Sequence, residues 1–390
     1  MKQVLLILTL IITLIAANIE LDIYVPALPQ MLHYFATTSG RLQWIISINF
    51  ISIAISSLFY GPLSDHYGRK KIMLVGLIIF VISSLGCVLA HSLATLIFWR
   101  FFQGIGSSAP VVAGFAAMAE IYTGKKAAQL ISIGNSVITG SMAAAPIIGN
   151  FLTIYFDWRA NFTFIFILAV LALIMVQLFF QDTHVGKPND RLNFKSISRA
   201  YVDLIKNKRF LVLGTIPCLL YAGMIVYISN LSLLFVNYLG VTQADVGYYQ
   251  AVIMFTFLIF SFITVFLLHR FTTQTAQTLG LFVVFIASLL LLVLDWFWAN
   301  DAKVITIIMS IYQAGSAIAL GPFMSEALNT HPQRRGTASA LLGGLRLTFA
   351  SIVVAIAGYL FDGSLTPIAM IIFILMAVNM LLYGGLRRSE

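Results

Sequence analysis

The sequence predicts an all-α membrane protein of twelve transmembrane helices arranged as two six-helix bundles. Three observations carry this. The 390 residues are 60% hydrophobic and only 9% charged, with a mean hydropathy of +0.96; soluble domains are about half apolar and about a quarter charged. Apolar runs of about twenty residues recur along the whole chain, continuous rather than alternating, which is the helical pattern and not that of a β-barrel. The longest polar stretch, 181–209, falls after the sixth run and divides the chain six plus six.

The spans are expected at 4–34, 42–63, 72–91, 94–119, 127–153, 160–180, 210–236, 246–268, 276–295, 302–327, 336–361 and 365–386. The first is long enough to tilt or kink. Its start, Lys2 followed by Val4 to Ala17, has the look of a signal peptide. It runs on into an acidic stretch, however, and its removal leaves an odd span count. Within 181–209, Phe194, Ile197, Tyr201 and Leu204 fall at helical spacing beside Lys195 and Arg199. This reads either as an amphipathic helix on the inner membrane face or as a solvated basic linker. The expected domains are therefore 1–180, the linker 181–209, and 210–390.

Charge sets orientation. Eighteen of the 23 Lys and Arg residues fall on the side of the chain termini and the central linker. Arg41, Arg159 and Lys303 fall on the other, and Arg100 and Arg346 lie inside spans. By the positive-inside rule both termini are cytoplasmic, as in a multi-pass protein of a bacterial inner membrane. The same bias accounts for the net charge of +9 without nucleic acid. Cys87 and Cys218 each sit in an apolar run and read as packing residues rather than a disulfide. No C-x-x-C or His/Cys cluster exists, so no metal or cofactor is expected.

The two halves echo each other. MAEIYTGKKAAQL (118–130) and MSEALNTHPQRRGTASAL (324–341) both run apolar helix, Met-x-Glu, short loop, two basic residues, small-residue helix. This suggests a duplicated six-helix unit. Glu120 and Glu326 end their helices beside basic loops, which favours structural salt bridges.

Four stretches carry chemistry. GPLSDHYGRKK (61–71) places Gly61 where two helices approach and Gly68 at a tight turn. Asp65 lies near the positive end of the next helix, with Arg69 in pairing reach. LIFWRFFQGIGSSA (96–109) puts Arg100 inside a span, where an arginine faces a cavity or a partner, or snorkels. GSMAAAPIIGN (140–150) combines Pro146 and Gly149 with small residues, for close packing and a kink. IELDIYVPALP (19–29) places Glu20 and Asp22 in an apolar run just before Pro26. Pro26 removes the hydrogen bond to the carbonyl of residue 22, so the backbone opens at the acid.

The first of these stretches resembles the loop signature G-x-L-a-D-r-x-G-r-k of the major facilitator superfamily. The second resembles its fourth-helix motif, matching at Leu96, Arg100, Gln103, Gly104 and Gly106. The third resembles the exporters' fifth-helix motif in part: Pro146 and Gly149 match, while Ser141, Ala145 and Asn150 replace glycines. LDIYVPALP looks like the first-helix stretch D-x-Y-L-P-A-L-P of Bcr/CflA-type drug:proton antiporters, with Val25 in place of leucine; RRGTASALLGGLR (334–346) resembles that group's entry to helix eleven. The resemblance implies the major facilitator fold and proton-coupled multidrug efflux by alternating access. It also implies a latch at Gly61, Asp65, Gly68 and Arg69, and a proton-transfer role for Arg100.

An ionised carboxylate deep in a span is costly unless paired or hydrated, which makes Asp22 the expected proton site. On a regular helix Glu20 is about 200° from Asp22, so the two have different partners or the helix is irregular. Glu20 is thus an inter-helix polar contact or a second proton-coupling group. Asn49, Asn135, Tyr221, Tyr227, Asn230, Gln313 and Arg346 are candidates to line a mostly apolar substrate cavity. Arg346 binds an anionic substrate group or snorkels. The expected partners are a small-molecule substrate, protons and the bilayer, for a monomer. The alternative on the same fold is a siderophore or other small-metabolite transporter. An intramembrane enzyme fits poorly, since all six histidines fall near span ends or in loops. An ATP-driven pump lacks a G-x-x-x-x-G-K-[ST] loop.

Overall fold

The computed structural model describes residues 2–121, 125–183, 201–297, 301–331 and 335–388. Among them eleven helices are long and apolar enough to cross a membrane, and a shorter apolar helix, Val4–Ile19, precedes them. The helices are α1 (Lys2–Ile19), α2 (Leu28–Tyr34), α3 (Ser39–Leu42), α4 (Trp44–Tyr67), α5 (Arg69–Val88), α6 (Leu93–Ile121), α7 (Lys125–Tyr155), α8 (Trp158–Phe179), α9 (Lys208–Leu233), α10 (Gln243–Arg270), α11 (Thr273–Phe297), α12 (Ala302–Asn329), α13 (Arg335–Leu360) and α14 (Thr366–Arg388). Eleven of the expected spans recur with ends shifted by a few residues. The first does not run unbroken: α1 stops at Ile19, a 3₁₀ turn covers Val25–Ala27, and α2 completes the crossing.

The break has a local cause. Leu21 N–H donates to Asn18 O, and Val25 N–H to Asp22 O. These tight-turn bonds are the fallback when Pro26 and Pro29 remove two donors from consecutive turns. The chain divides into two compact units, Met1–Ala36 with Trp44–Asn193, and Thr37–Gln43 with Phe194–Glu390. The short segment carrying α3 thus groups with the second unit, where Gln43 Nε2 donates to Ser229 O (2.8 Å) and Asn230 Oδ1 (3.2 Å).

Burial follows the membrane pattern. Every residue of α9 from Ile216 to Leu233 is buried. On α10, Val252, Phe255, Ile259, Phe262 and Phe266 are exposed. Their alternating spacing of three and four makes one apolar stripe, which water does not tolerate and lipid does. The amphipathic-helix reading of the linker falls mostly outside the described residues; of its apolar positions, Leu204 is buried in the helical stretch 201–206. Cys87 and Cys218 are both free and buried.

Candidate functional site

The first unit holds a charged network at the break in its first span. Ending α1 at Ile19 frees Glu20 from helical geometry and turns its side chain toward α4 and α6. Its Oε2 lies 2.5 Å from Arg100 Nη1, and both side chains are fully buried. Ser107 Oγ donates to Oε1 at 2.9 Å and Asn49 Nδ2 at 3.4 Å. Arg100 also donates to Gln103 Oε1 (2.6 Å), Tyr24 Oη (3.0 Å) and Ile45 O (3.2 Å), with its guanidinium over the Tyr24 ring. Gln103 Nε2 donates onward to Ser84 Oγ at 2.9 Å. A buried cation so fully bonded does not snorkel, and that reading of Arg100 is set aside.

Asp22 sits outside this network. It is buried, and its Oδ2 has no hydrogen-bond partner. The acid with the local sequence anomaly and the acid that meets the arginine are therefore different residues. The backbone beside Asp22 is held by α7. A Cβ on Gly149 collides with the Ile23 carbonyl oxygen, so only glycine lets α7 come this close. Asn161, with its amide turned to donate, bridges Gly149 O (3.2 Å) and Ile23 O (3.1 Å) while accepting from Thr153 Oγ1. α7 passes through Pro146 without interruption.

A second cluster lies at the α4–α5 turn. Gly68 takes φ +96°, the left-handed region that favours glycine. Arg69 pairs with Asp65 and, at 2.8 Å, with Glu120 at the end of α6. The start of α5 is capped not by Asp65 but by Asp182, whose Oδ1 accepts from Arg69 N–H at 2.9 Å. Thr183 Oγ1 donates to Glu120 at 2.7 Å. Gly61 is not a close-approach glycine: a Cβ there meets nothing within 4 Å. In the second unit Glu326 pairs with Arg209 at 3.0 Å and accepts from Gln277 Nε2 at 2.7 Å. Each Met-x-Glu glutamate thus reaches the start of the third long helix of its own unit, α5 or α11.

The candidate cavity residues separate by chemistry. Asn49 belongs to the ionic network, its Nδ2 also donating to Arg100 O at 3.2 Å. Asn230 donates to Val226 O (2.9 Å) and accepts from Gln43, so its amide is committed internally. Tyr227 is buried in α9. The side chain of Asn135 lies outside the described residues. Gln313 is fully buried with neither amide atom partnered, as is Gln250 on α10. Arg346 places its guanidinium over the Tyr221 ring, 4.7 Å from the centroid. Sequence reasoning missed Ser107, Tyr24, Asp182 and Gln250. Only Tyr24, inside the D-x-Y motif, carried a local signal.

A sequence profile of the Major Facilitator Superfamily matches residues 6–355. The chain is 25% identical over 351 residues to a "Bicyclomycin resistance protein homolog" of Haemophilus influenzae, covering 89% of this chain and 87% of that one. It is 25% identical over 359 residues to "Multidrug resistance protein MdtL" of Klebsiella pneumoniae, covering 92% and 89%. Among solved structures, the partially occluded inward-open xylose transporter XylE from E. coli superposes with a TM-score of 0.77 at 13% identity, covering 98% of this chain and 97% of that one. The chain belongs to the Major Facilitator Superfamily.

Proposed function

We propose that the protein is a proton-coupled secondary active exporter of small amphipathic compounds, working by alternating access between two six-helix bundles. The carrying observation is the division of labour at the first-span break. Glu20 and Arg100 neutralise each other within a hydrogen-bonded network, whereas Asp22 is buried with Oδ2 unpartnered. A carboxylate in that position lacks compensation until a proton or a cationic or polar substrate group reaches it. Proton and substrate then compete for Asp22, and one expels the other. Glu20 is read as a fixed charge that holds Arg100, and Arg100 as the cation that orients Tyr24 beside Asp22.

The names of the relatives, bicyclomycin resistance and multidrug resistance, support export over import. Asp65, Arg69 and Glu120, joined by ion pairs, and Asp182, capping α5, serve as a latch at one membrane face that exchanges without covalent change. Gly68 supplies its turn, and Gly149 and Pro146 fix α7 against the break. Gln313, Tyr221, Tyr227 and Arg346 are the second unit's contribution to the substrate path. Both termini face the cytoplasm of a bacterial inner membrane, and the working unit is a monomer.

The test is transport in proteoliposomes with an imposed pH gradient and a panel of cationic, neutral and anionic compounds. Accumulation that follows the gradient in wild type and is lost in Asp22→Asn is expected. Gradient-driven transport retained in full by Asp22→Asn removes the proposal. Strict preference for an iron chelate selects the siderophore reading.

A further inference from the structure

Among the described residues of the second unit, the arginine inside a span, Arg346, has no ion pair. Arg346 lies in the middle of α13, about 16 Å along the axis from Arg335 and about 21 Å from Leu360. That is farther than an arginine side chain extends, so its guanidinium does not reach either end of α13. Among the described residues, none of the ion pairs of this unit involves Arg346. Its Nε is buried without a hydrogen-bond partner, while the residue as a whole keeps partial exposure. Among the described residues, the acids of the unit lie elsewhere. Asp203, Asp245, Asp301, Glu326 and Asp362 are at helix ends or in connecting segments, and Asp295 is in the last turn of α11.

What Arg346 does meet is aromatic and neutral. Its guanidinium lies over Tyr221, and Cys218 is one turn earlier on α9. Cys218 Sγ in turn approaches Leu342 O at 3.9 Å, one turn before Arg346. The α9 stripe Cys218–Tyr221 therefore faces the α13 stripe Leu342–Arg346 in register, and the stem of Arg346 is fixed in that seam. A ring face attracts a cation and offsets part of the cost of placing it at this depth. It leaves the in-plane N–H donors unused, and those are the donors that match a carboxylate or phosphate.

We propose that Arg346 and Tyr221 form a subsite for an anionic group, a carboxylate, sulfonate or phosphate, on the transported compound. This rests on the exporter reading and narrows it to substrates that carry a negative group beside an apolar body. A lipid headgroup offers the same chemistry, but Arg346 lies in the middle of α13, away from the helix ends where headgroups are expected.

The probes are a xanthene dye with a free carboxylate and the methyl ester of the same dye. Their binding to the full-length protein in nanodiscs of zwitterionic lipid is read by fluorescence anisotropy. Wild type is expected to favour the acid. Arg346→Gln is expected to lower the acid-to-ester affinity ratio at least about tenfold, the size of a charge-assisted hydrogen bond, and Arg346→Lys to recover part of it. Adding phosphatidylglycerol is expected to leave the ratio unchanged; acid binding that anionic lipid competes away assigns the subsite to lipid and overturns the proposal. So does equal binding of acid and ester by wild type, or a ratio that Arg346→Gln leaves unmoved. Melting temperature separates a structural role: loss of an uncompensated cation leaves it unchanged or higher, whereas a lower value in both Arg346→Gln and Arg346→Lys marks a merely structural arginine. Transport of the same two dyes under a pH gradient is scored separately. Arg346-dependent binding without transport keeps the subsite and removes the exporter.

Discussion

Removing Arg100 from its pair with Glu20 is expected to be among the costliest single changes in the first unit. Arg100→Met strands a fully buried carboxylate and takes the donor from Gln103, Tyr24 and Ile45 at once. Removing one partner of a buried pair costs about 3–5 kcal/mol, a factor of roughly a hundred to several thousand in the folded population. Glu20→Gln is milder. Its amide oxygen still accepts from Arg100 while Ser107 and Asn49 remain in place, so about 2 kcal/mol is lost, in the range of a hydrogen bond to a charged group. Asp22→Asn replaces a buried carboxyl whose Oδ2 is unpartnered and is expected to cost less than Glu20→Gln. The measurement is unfolding of purified protein by SDS titration in mixed micelles, completed by the double variant Glu20→Gln/Arg100→Met. With the charge gone from both sides, the double variant is expected to be more stable than the sum of its parents by at least about 1 kcal/mol. Additivity within about 0.5 kcal/mol refutes a direct pair. A loss in Asp22→Asn as large as that in Glu20→Gln refutes the assignment of fixed charge and exchangeable acid to different residues.

Gly149→Ala drives a methyl into the Ile23 carbonyl, and a destabilisation of about 3 kcal/mol or more is expected, seen as a lower melting temperature and reduced folded yield. Gly68→Ala combines a left-handed backbone with a collision at the Asp182 carboxylate; about 1–2 kcal/mol is expected from the backbone alone, by the same measurement. Asp182→Ala removes the cap on α5, and about 1–2 kcal/mol is expected, with faster amide hydrogen exchange confined to the first turn of α5. Exchange rising evenly along α5 contradicts the capping role.

The spans were legible because each is a one-dimensional feature, a run long enough to cross the bilayer, and bilayer thickness sets that length whatever packs around it. The break in the first span was legible in kind but not in place. Pro26 announces an opening at residue 22, yet the helix already ends at Ile19, because two prolines three residues apart disturb the turns before them together. The partner of Arg100 was not legible. Glu20 and Asp22 are two residues apart, and choosing between them requires the rotation of one irregular turn against a helix eighty positions later. Asp182 was hidden for a different reason, since a cap usually comes from the residue just before its helix and this one comes from the far end of the sixth span. The glutamates of the repeat were legible as salt-bridge formers but not in their partners: Glu120 pairs with Arg69 and Glu326 with Arg209, both far away in sequence, rather than with the basic residues of the adjacent loops.

The broken first span bears on how the protein is made. α1 leaves the ribosome with Glu20 and Asp22 behind it, long before α6 and Arg100 exist. A carboxylate near the centre of a helix adds about 2.5–3.5 kcal/mol to the cost of membrane insertion, and the apolar helix ahead of it, Val4–Ile19, is shorter than a full crossing. The nascent segment is therefore poorly held until span four arrives. Its lasting residence in the bilayer is fixed by a charge delivered about eighty residues later, and Arg100 variants should lose protein during synthesis as well as stability after it.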